Sequence, residues 1–373
     1  MPLSFHITAQ STESNARAGT IETERGSIET PIFMPVGTLG SVKSLSPEDV
    51  LSCGARIILG NTYHLYLRPG IDVINEFQGL HRFIRWDRPI LTDSGGFQFF
   101  SLAKLAKTTE EGVAFQSHID GSRHTFSPEK AIEIQLALDA DIMMCLDQCT
   151  PYPADYGAAR DSLALTTRWA ERCKATWRHM SRNRHSLFGI VQGSMFKDLR
   201  KASAEGLTDL DLPGYAIGGL SVGEPKDIML DMAEYTLPLL PVLKPRYVMG
   251  VGTPEDIVEM VSFGADMFDC VMPTRNARNG QLFTENGTIN ISNAHFRYDK
   301  RPVDESCTCY TCSNYSRAYL RHLYKSRELF AYRLNTIHNV AYYLNLTKMI
   351  REAIIGDYFH DFKKSFYAKR KSS

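Results

Sequence analysis

The sequence predicts an α/β protein organised as a (β/α)8 TIM barrel, and two observations carry that expectation. Short apolar runs recur eight times between residues 32 and 269, with helix-like stretches between most of them. They are apolar throughout rather than alternating, as strands buried on both faces of a parallel sheet must be. In addition, a polar residue or a glycine pair ends run after run: Asp93, Asp147, Gln192, Gly218-Gly219 and Asp269. Periodicity alone also fits an open doubly wound sheet. Eight strands favour closure, and in a barrel those ends meet at one mouth, where active sites of this fold sit.

In chain order, residues 5–30 alternate polar and β-prone side chains around Asn15-Ala16-Arg17-Ala18-Gly19 and Arg25-Gly26, the pattern of a small antiparallel lid or plug. Residues 1–30 are assigned to it and residues 31–280 to the main part of the barrel. The strands are expected at residues 32–36, 56–61, 89–93, 141–147, 187–192, 215–219, 247–250 and 267–269. Ser127-Pro128-Glu129-Lys130 opens one helix and Thr253-Pro254-Glu255-Asp256 another, each with its proline in the first turn, where a missing N–H costs nothing. Between the third and fourth strands, residues 113–119 and 124–126 flank Asp120-Gly121-Ser122-Arg123. This predicts a β-hairpin over the mouth, with His118 and His124 as exposed hairpin residues.

Bulk properties narrow the function only a little. With 373 residues, 43% of them hydrophobic, there is ample material for a core. Forty-two basic residues balance forty-two acidic ones, so any nucleic-acid site must come from a local patch. No apolar stretch reaches the roughly 18 residues of a membrane span, and no signal segment opens the chain. The expectation is a cytoplasmic protein that does not engage a membrane, its eight cysteines reduced rather than paired.

Three of those cysteines cluster in Cys307-Thr308-Cys309-Tyr310-Thr311-Cys312, and His338 follows. Three thiolates and one imidazole complete a tetrahedral shell for one structural Zn2+ per subunit, leaving no position open for water. Iron–sulfur clusters usually take four thiolates, so this set favours zinc. Helical spacing between Tyr315 and Tyr324 places His338 on a following helix. Residues 281–345 are assigned to a zinc-binding subdomain inserted near the last strand and helix, and residues 346–373 to a C-terminal helix and basic tail.

Residues 265–280 organise the rest. An apolar run ends on Asp269 and is followed by Pro273, Arg275, Arg278 and Gly280, which reads as a buried strand delivering a carboxylate to a cationic loop. An enzyme acting on an anionic polymer needs that arrangement, although any one such Asp more often caps the next turn. The Asp93-Ser94-Gly95-Gly96-Phe97-Gln98 segment, Asp147-Gln148-Cys149, Val191-Gln192-Gly193, residues 217–224, Pro273-Thr274-Arg275 and the Cys307, Cys309, Cys312 and His338 set together resemble the bacterial queuine tRNA-ribosyltransferases, or tRNA-guanine transglycosylases. The resemblance runs through nearly the whole chain in order.

That resemblance implies a zinc-bearing barrel that exchanges guanine at wobble position 34 of tRNAs with GUN anticodons, those for Asp, Asn, His and Tyr. The incoming base is 7-aminomethyl-7-deazaguanine (preQ1), on the way to queuosine. Asp269 becomes the nucleophile, forming a covalent ribosyl-enzyme, and Asp93 the general acid/base. Ser94, Gly95 and Gly96 let backbone approach a planar base, and Phe97 offers a stacking face. Asp147 would accept from the base's N1–H and exocyclic amine, while Gln192 and the Gly219 N–H donate to O6. Cys149 and Val222 would wall the 7-substituent, the Leu220 carbonyl would accept from its ammonium, and Met249 would complete the pocket.

For the RNA, the resemblance implies contacts from Gly250, Val251, Gly252, Thr253, Pro254, Glu255 and Asp256, and from Thr274, Arg275, Asn276, Ala277 and Arg278. It also implies a homodimer. Basic residues interleaved with Tyr298, Tyr310, Tyr315, Tyr319 and Tyr324, and the lysines and arginine of residues 362–373, suit a single-stranded loop, although a charge run is usually a solvated face. A retaining glycoside hydrolase would share the barrel and two carboxylates but gives no reason for the Cys3His set. A non-catalytic RNA-binding relative would not need both Asp93 and Asp269.

Overall fold

The computed structural model describes residues 3–101, 106–181 and 184–371; residues 1–2 of the expected N-terminal sheet and 372–373 of the expected tail lie outside them. The parallel sheet runs Ile32–Met34, Met267–Asp269, Arg246–Val248, Gly214–Ile217, Ser186–Val191, Ile142–Met144, Ile90–Thr92, Ile58–Gly60 and Val36–Gly37 in spatial order. Its first and last members are one strand divided at Pro35. Ile32–Met34 pairs with the final strand (Met267 opposite Ile32, Asp269 opposite Met34), and Val36–Gly37 pairs with the second. The ring therefore closes through a strand whose proline lacks an N–H for the ladder, while the Pro35 carbonyl still accepts from Leu59 N–H. All eight expected strands are present, and Ser186–Val191 is buried at every position.

The two helices opened by a hydroxyl and a proline form as expected. Ser127 Oγ accepts from Lys130 N–H at the head of Pro128–Ala137. Thr253 and Asp256 form a reciprocal capping box at the head of Pro254–Ser262, an arrangement typically worth about 1 kcal/mol.

The N-terminal sheet, Ser4–Gln10, Arg17–Thr23 and Gly26–Thr30, is a plug at the far end of the barrel rather than a lid. Arg17 reaches Asp266, just before the last strand, through Nε to Oδ1 at 2.9 Å, and Arg25 reaches Asp141, just before Ile142–Met144, at 2.8 Å. These carboxylates sit at strand N-termini, opposite the mouth. The expected hairpin is one strand larger: Ala106–Thr108, Val113–Gln116 and Arg123–Phe126 make a three-stranded antiparallel sheet. His118 is exposed, yet its Nδ1 lies 3.1 Å from Tyr63 Oη, and His124 makes the same contact to Tyr66.

After Asp269 the chain departs from expectation. The cationic loop is a helix, Met272–Arg278, because Pro273 suits a first turn and nothing within the segment breaks it. A hairpin and the cysteine segment follow. The chain then returns as a 27-residue helix, Leu329–Ile355, which carries His338, lies against the first barrel strand, and runs unbroken across residues 345 and 346. The basic tail is a docked helix, Phe359–Lys371, with Lys363 on Glu259, Lys369 on Glu285 and Arg370 on Glu255. Among the described residues no helix is long and apolar enough to cross a membrane.

Candidate active site

The polar groups at the strand ends gather at one mouth and several engage one another there. Asp93 follows Ile90–Thr92 and is buried. Its Oδ1 accepts from Thr62 N–H at 2.8 Å, and its Oδ2 from Asn61 Nδ2 at 2.6 Å and Gln98 Nε2 at 3.1 Å. Burial pushes its carboxyl up to about 6 despite those donors, and the charge of Asp269 adds to the rise. Asp147, at the next strand end, accepts from Ser94 Oγ at 3.0 Å and Gln192 Nε2 at 2.7 Å. Burial raises its pKa as well. Gly96 must lack a side chain, since a Cβ there would lie 2.3 Å from Asp147 Oδ1.

Gln192 is buried and gives one of its two amide N–H groups to Asp147, while its Oε1 has no partner among the described residues. The second N–H of that amide stays available for the expected donation to a base. Gly219, at φ +64°, stands beside that oxygen: a Cβ at Gly219 would meet Gln192 Oε1 at 2.5 Å. Beyond it, Glu224 accepts from Ser221 N–H at 2.5 Å and Val222 N–H at 2.9 Å, and so shapes the turn that carries Leu220 and Val222.

Asp269 closes the ring. Its Oδ1 accepts from Tyr247 Oη at 2.5 Å and Gly250 N–H at 2.8 Å, while its Oδ2 accepts no hydrogen bond among the described residues. Burial raises its pKa, opposed by those two donors. One oxygen is thus fixed and the other is left for chemistry. Phe97 is 54% exposed on the helix Gly96–Ser101, and Met249 and Cys149 are partly buried around the same mouth.

The residues expected to meet RNA divide. Arg275 is exposed, and Arg278 donates from NH1 to the Thr274 carbonyl at 2.8 Å. Gly250 is exposed, but Val251, Gly252 and Pro254 are buried. The carboxylates of Glu255 and Asp256 are already occupied, by Arg370 at 3.2 Å and by Lys226 at 2.7 Å. Tyr315 and Tyr319 stack on one another with centroids 5.4 Å apart, whereas Tyr298 is 79% exposed.

Cys307, Cys309, Cys312 and His338 converge, with all four donor atoms within 4.8 Å of one another. His338 Nε2 donates to the Phe283 carbonyl at 2.6 Å, which turns Nδ1 toward the thiols, 3.3 Å from Cys312 Sγ. Such an outer hydrogen bond is what orients a metal-bound imidazole. The cluster can hold a metal ion.

Sequence reasoning missed Asn61, Gln98 and Tyr247, which hold the two carboxylates at the mouth. Asn61 carried the same signal as its neighbours, a polar residue at a strand end. Tyr247 lies inside an apolar run, so it did not announce itself.

A family model described as queuine tRNA-ribosyltransferase matches residues 11–372. The chain is 65% identical over 368 residues to the queuine tRNA-ribosyltransferase of Desulforapulum autotrophicum, covering 99% of both. It is 60% identical over 370 residues to that of Desulfosudis oleivorans, covering 99% of this chain and 96% of the relative. With that of Thermoanaerobacter pseudethanolicus the identity is 56% over 367 residues, covering 98% and 97%.

Proposed function

This chain belongs to the queuine tRNA-ribosyltransferase family, and on that premise we propose that it is a tRNA-guanine transglycosylase replacing guanine 34 of GUN-anticodon tRNAs with preQ1 through a ribosyl-Asp269 intermediate. The observation that carries this is Asp269, with Oδ1 held by Tyr247 and Gly250 and Oδ2 unengaged. Oδ2 attacks ribose C1′ as the C1′–N9 bond breaks, and protonated Asp93 gives its proton to the departing guanine. Asp93 then takes the N9 proton of preQ1, whose nitrogen attacks C1′ and returns Asp269 as carboxylate. A carboxyl near pH 6 suits both directions of transfer.

In this reading Asp147 takes the N1–H and exocyclic amine of the base. The second N–H of the Gln192 amide and the Gly219 N–H donate to O6. Val222 and Cys149 leave room for an aminomethyl group but not for queuine's cyclopentenediol, and the Leu220 carbonyl accepts from the ammonium. Arg275 and Arg278 contact the anticodon loop, and the occupied carboxylates of Glu255 and Asp256 act through the loop they shape. Cys307, Cys309, Cys312 and His338 would hold a structural zinc, which supplies folding free energy and no chemistry. The enzyme works in the cytoplasm as a homodimer.

The test is incorporation of labelled guanine into unmodified tRNA by the purified protein. Asp269→Asn should lower it by about 10^4-fold or more while tRNA binding persists. A covalent RNA complex trapped with the Asn variant would overturn the assignment.

A further inference from the structure

Arg200, in the helix Lys197–Thr208, is fully buried, and no carboxylate lies within ion-pairing distance of it among the described residues. Its hydrogen bonds go to main-chain carbonyls. Nε donates to Ser194 O at 2.8 Å, NH1 to Gly218 O at 3.1 Å and NH2 to Gly219 O at 3.3 Å. Burial lowers its pKa to about 10, so it stays charged at neutral pH. The Glu224 carboxylate offsets that burial only through space, with no ion pair to Arg200 among the described residues, so the guanidinium rests on the carbonyls it meets.

Gly218 C=O and Gly219 N–H belong to one planar trans peptide and point in opposite directions. Fixing the carbonyl on Arg200 therefore turns the Gly219 N–H away from Arg200 and fixes its direction. Hydrogen bonding at the carbonyl also polarises the N–H of the same amide, the cooperative effect seen along hydrogen-bonded chains. Gly219 sits at φ +64°, and Gly193 lets the helix come close: a Cβ there would lie 2.7 Å from Arg200 N.

We propose that Arg200 is a positioning residue for base recognition, holding and polarising the Gly218–Gly219 peptide so that Gly219 N–H donates to O6 of the base. This rests on the base-pocket reading given above. The test compares guanine with 6-thioguanine, which keeps N1–H and the exocyclic amine but replaces O6 by a poor acceptor. Each is assayed as a competitor of labelled guanine against wild type, Arg200→Met and Arg200→Lys.

Wild type should prefer guanine. The variants should lose about tenfold for guanine, the scale of one weakened hydrogen bond, and little for 6-thioguanine, with zinc content and tRNA affinity unchanged. Arg200→Met can fail to fold, since it strands three carbonyls, and Arg200→Lys then decides. A folded variant that keeps the full preference, or loses equally for both bases, overturns the inference alone. A wild type indifferent to the change at position 6 overturns the base-pocket reading, and this inference with it.

Discussion

At the scale of single residues, the mouth is a place where charge is held against solvation. Asp93 is buried and raised to about 6, a displacement from its free value that corresponds to about 3 kcal/mol. A carboxyl raised on folding favours the fold while both states are protonated and loses that advantage as pH climbs through about 6. At pH 8 the buried Asp93 charge is therefore a liability, and Asp93→Asn, which cannot ionise, removes it. The variant should gain stability relative to wild type as pH rises from 3 to 7, the span that brackets the free and folded values, by up to about 3 kcal/mol less the strength lost when Thr62, Asn61 and Gln98 donate to an amide. Melting temperatures of both proteins across that range check it, and a gap that stays flat or narrows would refute it. That Asp93 and Asp269 are carboxylates at strand ends of one mouth was legible in the sequence. That Asp93 is fed by Asn61 and Gln98, and Asp269 oriented by Tyr247, was not, because those contacts join separate strands and loops.

At the scale of elements, Leu329–Ile355 joins the Cys3His cluster to the segments that flank Asp269. One turn of it carries His338. From the same helix Asn339 Nδ2 donates to the carbonyls of Pro273 and Gln281 at 3.0 Å each, and Tyr343 Oη donates to Gly252 O at 2.6 Å. The helix after Asp269 and the loop after Gly250 are thus held by an element that the cysteine segment anchors. Cys309→Ser should lower zinc to below one equivalent, lower the melting temperature, and weaken tRNA binding more than binding of the free base. Elemental analysis, thermal melting and the two affinities read this out. Full zinc with unchanged melting would rule the cluster out as a structural site. The cysteine spacing announced the metal cluster, but its link to the catalytic end depends on a helix whose apolar residues surround it, so no sided pattern told which faces it would join.

At the scale of the whole molecule, the barrel is closed at one end so that it can be open at the other. Arg17 and Asp266 are both buried, and Arg17 also donates to Val242 O at 2.6 Å and Lys244 O at 2.9 Å. Removing one partner of such a pair leaves a buried charge and typically costs about 3 to 5 kcal/mol. Arg17→Met should lose about that much stability by urea denaturation while the folded fraction keeps its base-exchange rate, since the plug lies at the end away from Asp269. Equal loss of rate and stability would show that the plug shapes the mouth.

The sequence by itself determined where the eight strands lie, which polar residues end them and which four residues gather as a Cys3His group. Each of these is written locally, in apolar runs, terminal polar residues and cysteine spacing. Only the tertiary structure decided which end the N-terminal sheet closes, that Glu255 and Asp256 are already spent on Arg370 and Lys226, and that Arg200 lies under the Gly218–Gly219 peptide. A side chain's partner is fixed by where distant segments pack, and burial then sets its charge and its direction. Neither quantity is carried by the residues on either side of it.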